Sequence, residues 1–134
     1  MNAVIALLLA STLLPSSPAQ SSAREEAAAV IRQAQQHWPI HCDNPVFLAR
    51  RYSFDVRVDR EGRLVGHPMF VGEAALEVEL SELPYSEALQ AREFRDRARI
   101  AIIQAAPFEV PPTYQGGFYR VMFAPDLACR SRGE

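Results

Sequence analysis

The sequence predicts an α+β domain: a two-layer sandwich in which a three-stranded antiparallel sheet carries two helices on one face. The chain has 134 residues, the length of one compact domain. Its apolar residues recur first at helical spacing, then at every second position, then at helical spacing again. Clusters of proline and glycine separate these stretches. The predicted order is helix, strand, strand, helix, strand.

The composition disfavours a nucleic-acid partner. The chain carries 14 basic and 16 acidic side chains, a formal net charge of −2. Proteins that bind phosphate backbones need clustered positive charge to displace counterions. The mean hydropathy of −0.09 is typical of a soluble protein. We therefore expect no nucleic acid among its partners.

The amino terminus predicts export. Residues 1–22 carry no charged side chain, and an apolar run extends from Ala3 to Leu14 before Pro15. The run is too short for a membrane-spanning helix, which needs about 20 apolar residues, but it suits a secretory signal. Small residues before position 20 place the cut after Ala19, so residues 1–19 form the predicted signal peptide. No basic residue follows Met1, which leaves an uncleaved anchor as the alternative.

Export predicts that the two cysteines form a disulfide. Thiols in an oxidising compartment usually form disulfides, and the only pairing within a monomer is Cys42 with Cys129. A bridge closing so long a loop is worth about 4 to 5 kcal/mol in the chain-entropy model. The alternatives are two free buried thiols or a catalytic thiol, although neither cysteine lies in a C-x-x-C motif.

The first predicted helix starts at Arg24, after a flexible leader over residues 20–23, with Ser22 as its cap. Pro39 ends it, and residues 39–49 form a connecting loop. The helix is predicted from apolar side chains spaced by three or four residues: Ala27, Val30, Ile31, Ala34 and Trp38.

The period then changes to two. Four alternate residues, Tyr52, Phe54, Val56 and Val58, predict a strand with one buried face. Residues 59–63 form a turn in which Gly62 takes positive φ. Residues 64–71 read as the returning strand, interrupted by Gly66 and Pro68.

Residues 72–91 carry five glutamates and no basic residue. Their pattern fits a short exposed strand or one or two helical turns equally well. A second helix follows, capped by Ser86, ended by Pro107, and facing the core with Phe94, Ala98, Ala101, Ile102 and Ala105. Arg92, Arg95, Arg99 and Gln104 are expected on its opposite face. The last predicted strand is Phe118 to Ala124, and residues 130–134 form a flexible tail.

Three stretches in this order resemble the carboxy-terminal domain shared by the periplasmic energy transducers TonB and TolA. The hairpin from Phe54 to Val65 is similar to that domain's opening hairpin. The stretch from Ala98 to Phe108 resembles its second helix, and Tyr119 to Asp126 its closing strand. The likeness covers residues 24–129. The chain lacks the long spacer of the full-length transducers, so the resemblance implies a stand-alone module.

A sheet packed on one side leaves its final strand at an edge, where an extended peptide can add as a further strand. The resemblance implies that this edge binds a segment of an envelope or outer-membrane protein in the periplasm, with a possible link to energy-coupled transport. Phe118, Arg120 and Met122 would line the site, and the same edge could join two copies. The alternative is that Phe118 and Met122 only cover the core while Arg120 is solvated.

No enzymatic motif is present, so we expect no catalytic residue, no cofactor and no metal. His37, His41 and Cys42 lie close in sequence and His67 is a further candidate ligand, but Pro39 keeps the first two histidines off one helix face. The carboxylates Asp55 and Asp59 are expected on a solvated face. A second functional hypothesis is a periplasmic accessory or inhibitor protein that binds through the acidic segment 72–91.

Overall fold

A three-stranded sheet and two long helices form the framework of the protein. The structure is a computed structural model that describes residues 18–131, with side chains from residue 22 onward. It confirms the α+β class and the three-stranded antiparallel sheet. The elements in chain order are α1 (Pro18–Gln35), α2 (Pro45–Leu48), β1 (Tyr52–Val58), β2 (Met69–Phe70), α3 (Glu73–Ser81), α4 (Tyr85–Ala105), β3 (Gly117–Phe123) and α5 (Pro125–Arg130).

The central strand of the sheet is β1, and the strand order is β2-β1-β3. The register runs from Tyr52 opposite Phe123 to Val58 opposite Gly117. The predicted inward face of β1 is confirmed, because all four of its alternate apolar side chains are buried. Pairing with β3 along the whole of β1 anchors the sheet.

The returning strand is much shorter than predicted. Of residues 64–71, only Met69–Phe70 forms a strand with β1, and Leu64 makes an isolated bridge to Val58. Gly66, with φ of +75°, and Pro68 interrupt the ladder between these two points. The predicted positive φ of Gly62 is confirmed at +82°.

The core lies between the helices and one face of the sheet. Small residues on α4 allow close approach: the hydroxyl of Tyr52 donates a hydrogen bond of 3.0 Å to the carbonyl of Ala91. Trp38 packs against Phe47 and Phe123, with ring centroids 5.4 and 4.9 Å apart. Other buried members are Val30, Ala34, Phe54, Ala98, Ile102 and Val121.

Two predicted helix starts are wrong. Residues 20–23 are helical rather than a flexible leader, so Ser22 lies inside α1 and does not cap it. Pro18 is compatible with a first helical turn because its fixed φ suits that position. The second long helix starts at Tyr85, after Pro84, so Ser86 is not its cap. The first helix also ends earlier than Trp38, because a residue before proline disfavours the helical conformation.

Three short helices are additional to the predicted pair. Asn44 caps α2 by accepting hydrogen bonds from the amides of Val46 and Phe47 at 2.9 and 3.2 Å. In segment 72–91 the helical alternative is the correct one, since α3 occupies Glu73–Ser81. The last helix, α5, starts with Pro125 directly after β3.

The predicted disulfide between Cys42 and Cys129 is present, with a Cα–Cα distance of 5.7 Å and 87 residues of sequence separation. It joins the loop before α2 to α5. Within residues 18–131, no helix has the length and apolarity needed to cross a bilayer. The predicted signal peptide lies almost wholly outside the described residues, as do residues 132–134 of the predicted tail; Arg130 is the last residue of α5.

Candidate functional site

The outer side of β3 is the candidate site. On β1, the carbonyls of Ser53 and Arg57 accept hydrogen bonds from Val71 and Val65, both at 2.9 Å, on the side away from β3. In an antiparallel ladder the direction of the main-chain groups alternates along each strand. The alternate residues of β1 (52, 54, 56 and 58) therefore bond to β3, and with the observed register their partners are Phe123, Val121, Tyr119 and Gly117.

The same alternation directs the main-chain groups of Phe118, Arg120 and Met122 away from the sheet. An independent contact supports this direction: the side-chain amide of Gln35 on α1 donates a 2.7 Å hydrogen bond to the carbonyl of Met122. The remaining outward groups have no partner among the described residues. We call these outward main-chain groups of Phe118, Arg120 and Met122 the β3 edge.

The side chains of these three residues lie on the sheet face opposite the helices. Phe118 is 63% exposed and Met122 is 41% exposed. Arg120 donates to Asp55 on the neighbouring strand, with Nε 2.9 Å from Oδ1. The structure therefore brings the three predicted site residues together on one open face.

The open face also contains two residues that the sequence analysis did not identify. Val65 lies opposite Arg57, and Met69 pairs with Asp55, so both share the face of Arg120. They are 47% and 67% exposed. Apolar residues at alternate positions of the returning strand could have identified Val65 and Met69. The interruption of this strand, of which only β2 remains, obscured the pattern.

An apolar groove begins where the β3 edge ends. It has a volume of about 410 Å³ and lies between the carboxyl end of α1, the end of β3 and α5. Its lining residues are Gln35, Trp38, Ile40, Met122, Ala124, Leu127 and Ala128. Sequence reasoning missed it because α5 was not predicted and the residues are distant along the chain.

Arg120 and Arg51 at this site are paired internally, whereas Arg57, opposite Phe118 on the open face, is exposed and has no ion pair among the described residues. The hydrogen bond from Arg120 to Asp55 raises the pKa of Arg120. At the start of α5, Asp126 accepts two hydrogen bonds from Arg51, which lower the pKa of that carboxyl. A ligand at the β3 edge would therefore meet main-chain groups, apolar side chains and the exposed Arg57.

The acidic segment 72–91 is also largely neutralised by arginines of the same chain. Three of its glutamates form ion pairs: Glu73 with Arg95 at 2.7 Å, Glu77 with Arg92 at 2.9 Å and Glu79 with Arg50 at 2.7 Å. The hydrogen bond from Arg92 lowers the pKa of Glu77. These carboxylates serve to attach α3 to its neighbours.

The remaining candidate residues have separate environments. His41 packs between Phe47 and Phe94, at centroid distances of 5.5 and 5.4 Å, and its neighbour Cys42 is in the disulfide. His67 lines a different surface pocket beside β2. In the part of the chain described, no group of three or more His, Cys, Asp or Glu side chains is arranged to hold a metal ion.

Asp55 and Asp59 have different structural roles. Asp55 pairs with Arg120, whereas Asp59 accepts hydrogen bonds from the amides of Glu61 and Arg63, both at 2.9 Å. The amide of Arg63 is the main reason that the pKa of Asp59 is lowered. Asp59 thus closes the turn after β1.

Comparison of the chain with protein-family models, with curated proteins and with solved structures finds no match.

Proposed function

We propose that the protein is an exported, non-enzymatic module that binds an extended segment of an envelope or outer-membrane protein by strand addition. One observation carries this proposal: apart from the Met122 carbonyl, which Gln35 binds, the main-chain donors and acceptors of the β3 edge have no partner among the described residues. Such a row of groups is a template for another strand. The resemblance to the TonB and TolA carboxy-terminal domain supports the same mode of binding and names the class of partner.

The site suggests which part of a partner would bind. Pairing would extend along Phe118 and Arg120 and reach the amide of Met122, where Gln35 already occupies the carbonyl. Because Arg120 and Arg51 are already paired with carboxylates of the same chain, main-chain hydrogen bonds would supply most of the affinity. Apolar side chains on alternate positions of the bound strand would contact Phe118 and Met122.

The periplasm is the proposed location. The Cys42–Cys129 disulfide is compatible with an oxidising compartment. A role in energy-coupled transport is supported by the resemblance alone, and we propose it only as the context in which the partner acts.

Amide hydrogen exchange tests whether the edge is free and where a partner binds. In the isolated protein, we expect fast exchange at Phe118, Arg120 and Met122 and slow exchange at Tyr119 and Val121. A partner enriched from envelope extract should then protect the first set. Slow exchange at the first set in the isolated protein would contradict the proposal, as would protection confined to segment 72–91.

A proline variant provides the functional test. Met122→Pro removes an outward amide without removing a hydrogen bond to β1, so the sheet should persist while partner capture falls at least about tenfold. The matched control is Glu77→Gln, Glu79→Gln, Glu82→Gln in one chain, which should leave capture unchanged. Loss of capture only in the glutamine variant would favour the accessory or inhibitor hypothesis. Circular dichroism verifies that both variants fold.

A further inference from the structure

The long helix α4 is apolar on two opposite faces. Its inner face packs in the core, as predicted. Its outer face exposes four large apolar side chains: Tyr85 at 77%, Leu89 at 45%, Ile100 at 49% and Ile103 at 42%. These positions lie within one narrow sector of the helix and extend over about 27 Å at 1.5 Å per residue.

Two of the three arginines expected on this outer face have turned toward their own chain. Arg95 is bound by Glu73 and is only 11% exposed, and Arg99 lies 5.6 Å from the ring centroid of Phe54. Because Arg95 is largely buried and Arg99 is directed toward Phe54, neither covers the four apolar residues, which are exposed among the described residues.

The centre of the stripe is charged. Arg92 and Asp96 continue the three- and four-residue spacing between the apolar ends. Arg92 donates to Glu77 and Asp96 accepts from Arg95 and Arg99, but their side chains are still 34% and 48% exposed, so a second copy can share these charges. We call the six residues Tyr85, Leu89, Arg92, Asp96, Ile100 and Ile103 the α4 stripe.

The α4 stripe is complementary to itself in the antiparallel orientation. A twofold axis beside position 94 places Tyr85 of one copy beside Ile103 of the other, and Leu89 beside Ile100. The same axis places Arg92 beside Asp96, twice, with opposite charges facing each other. A twofold interface requires this kind of self-complementary surface.

We propose that the α4 stripe binds a second copy of this chain as an antiparallel helix pair. Apolar contacts at both ends supply the affinity, and the two Arg92–Asp96 pairs determine the orientation. The interface is separate from the β3 edge, so a dimer would still present two edges to its partners. This inference does not depend on the proposed strand addition.

Charge exchange between two variants tests the pairing. Sedimentation equilibrium of the full chain should show a reversible dimer. Asp96→Arg and Arg92→Asp should each raise the dimer dissociation constant at least about tenfold, because like charges then face each other. An equimolar mixture of the two variants should form a heterodimer with nearly the original affinity, as should the chain with both changes. A chain that is monomeric throughout, or association unaffected by either variant, would overturn the proposal.

Crosslinking tests the orientation independently of variant stability. A mixture of Tyr85→Cys and Ile103→Cys chains should form an intermolecular disulfide under mild oxidation. Neither variant alone should form this disulfide, because the two identical cysteines of an antiparallel dimer would lie about 27 Å apart along the helix pair. Val78→Cys, at a position on α3 that is 67% exposed, is the control. Association abolished by Met122→Pro but not by Asp96→Arg would assign the dimer to the β3 edge instead and overturn the α4 interface.

Discussion

Tyr52 connects the central strand to α4 through a buried phenol. Its hydroxyl donates to the Ala91 carbonyl, and burial raises the pKa of Tyr52 to about 12. In the unfolded chain a phenol ionises near pH 10. The folded state therefore holds this proton more tightly, and the stability linked to it is complete below pH 10 and is lost as the pH rises toward 12.

Tyr52→Phe should lower the free energy of unfolding at pH 7 by about 1 kcal/mol, the net value of one hydrogen bond. It should also reduce the stability lost between pH 10 and pH 12. Urea unfolding at several pH values measures both effects. Tyr85→Phe, at a ring that is 77% exposed in the single chain, is the control and should follow the wild-type curve when both are measured at a concentration low enough to keep the chain monomeric. Identical alkaline profiles for wild type and Tyr52→Phe would contradict the assignment.

At the scale of elements, the turn after β1 is hydrogen-bonded to the connecting segment between α4 and β3. The carbonyl of Gly62 accepts a 2.7 Å hydrogen bond from the amide of Phe108. A Cβ atom at Gly62 would lie 2.1 Å from the Phe108 carbonyl oxygen, and the φ of +82° is unfavourable for other residues. The contact leaves no space for a side chain.

Gly62→Ala should therefore destabilise the protein by more than about 3 kcal/mol, because strain in φ and a backbone collision combine. Gly66→Ala is the matched control. Gly66 has φ of +75° but no atom within 4 Å of the added Cβ. Gly66→Ala should therefore lower the free energy of unfolding by only about 1 to 2 kcal/mol. Thermal and urea unfolding compare the two variants. Equal losses of stability in the two variants would show that the contact between Gly62 and Phe108 does not hold the segment between α4 and β3.

At the scale of the whole molecule, the disulfide joins two distant parts of the chain. Replacing Cys42 and Cys129 by serine together should lower the free energy of unfolding by about 4 to 5 kcal/mol, because the unfolded chain regains the entropy of an 87-residue loop. Reduction of the wild-type protein should give the same shift in thermal midpoint. A midpoint that is unchanged in both cases would rule out this contribution.

The elements predicted best are those whose side chains have one consistent environment. The alternation of β1 and the inner stripe of α4 match the structure because each buries a single face along most of its length. The shorter elements were missed for a physical reason. A four-residue helix such as α2 or a two-residue strand such as β2 contains only about one repeat of its period, too little to form a recognisable pattern, and tertiary contacts stabilise it.

The candidate site likewise contains some residues that the sequence predicts and others that only the fold brings together. Phe118, Arg120 and Met122 were predictable because alternation along one strand assigns them to one face. Val65 and the groove beside Leu127 were not, because they depend on where separate segments meet. The exposed α4 stripe was hidden by arginines whose partners, Glu73 and the Phe54 ring, only the folded chain brings near.

The amino-acid sequence by itself determined the class of fold, the inward faces of β1 and β3 and the pairing of the two cysteines, because each follows from local periodicity or from there being one choice. The tertiary structure alone decided that Gln35 binds the Met122 carbonyl, which other outward β3 main-chain groups have no partner within residues 18–131, and which apolar face of α4 is exposed there. These features depend on the register and packing of segments far apart in the chain, and no local pattern encodes such distances.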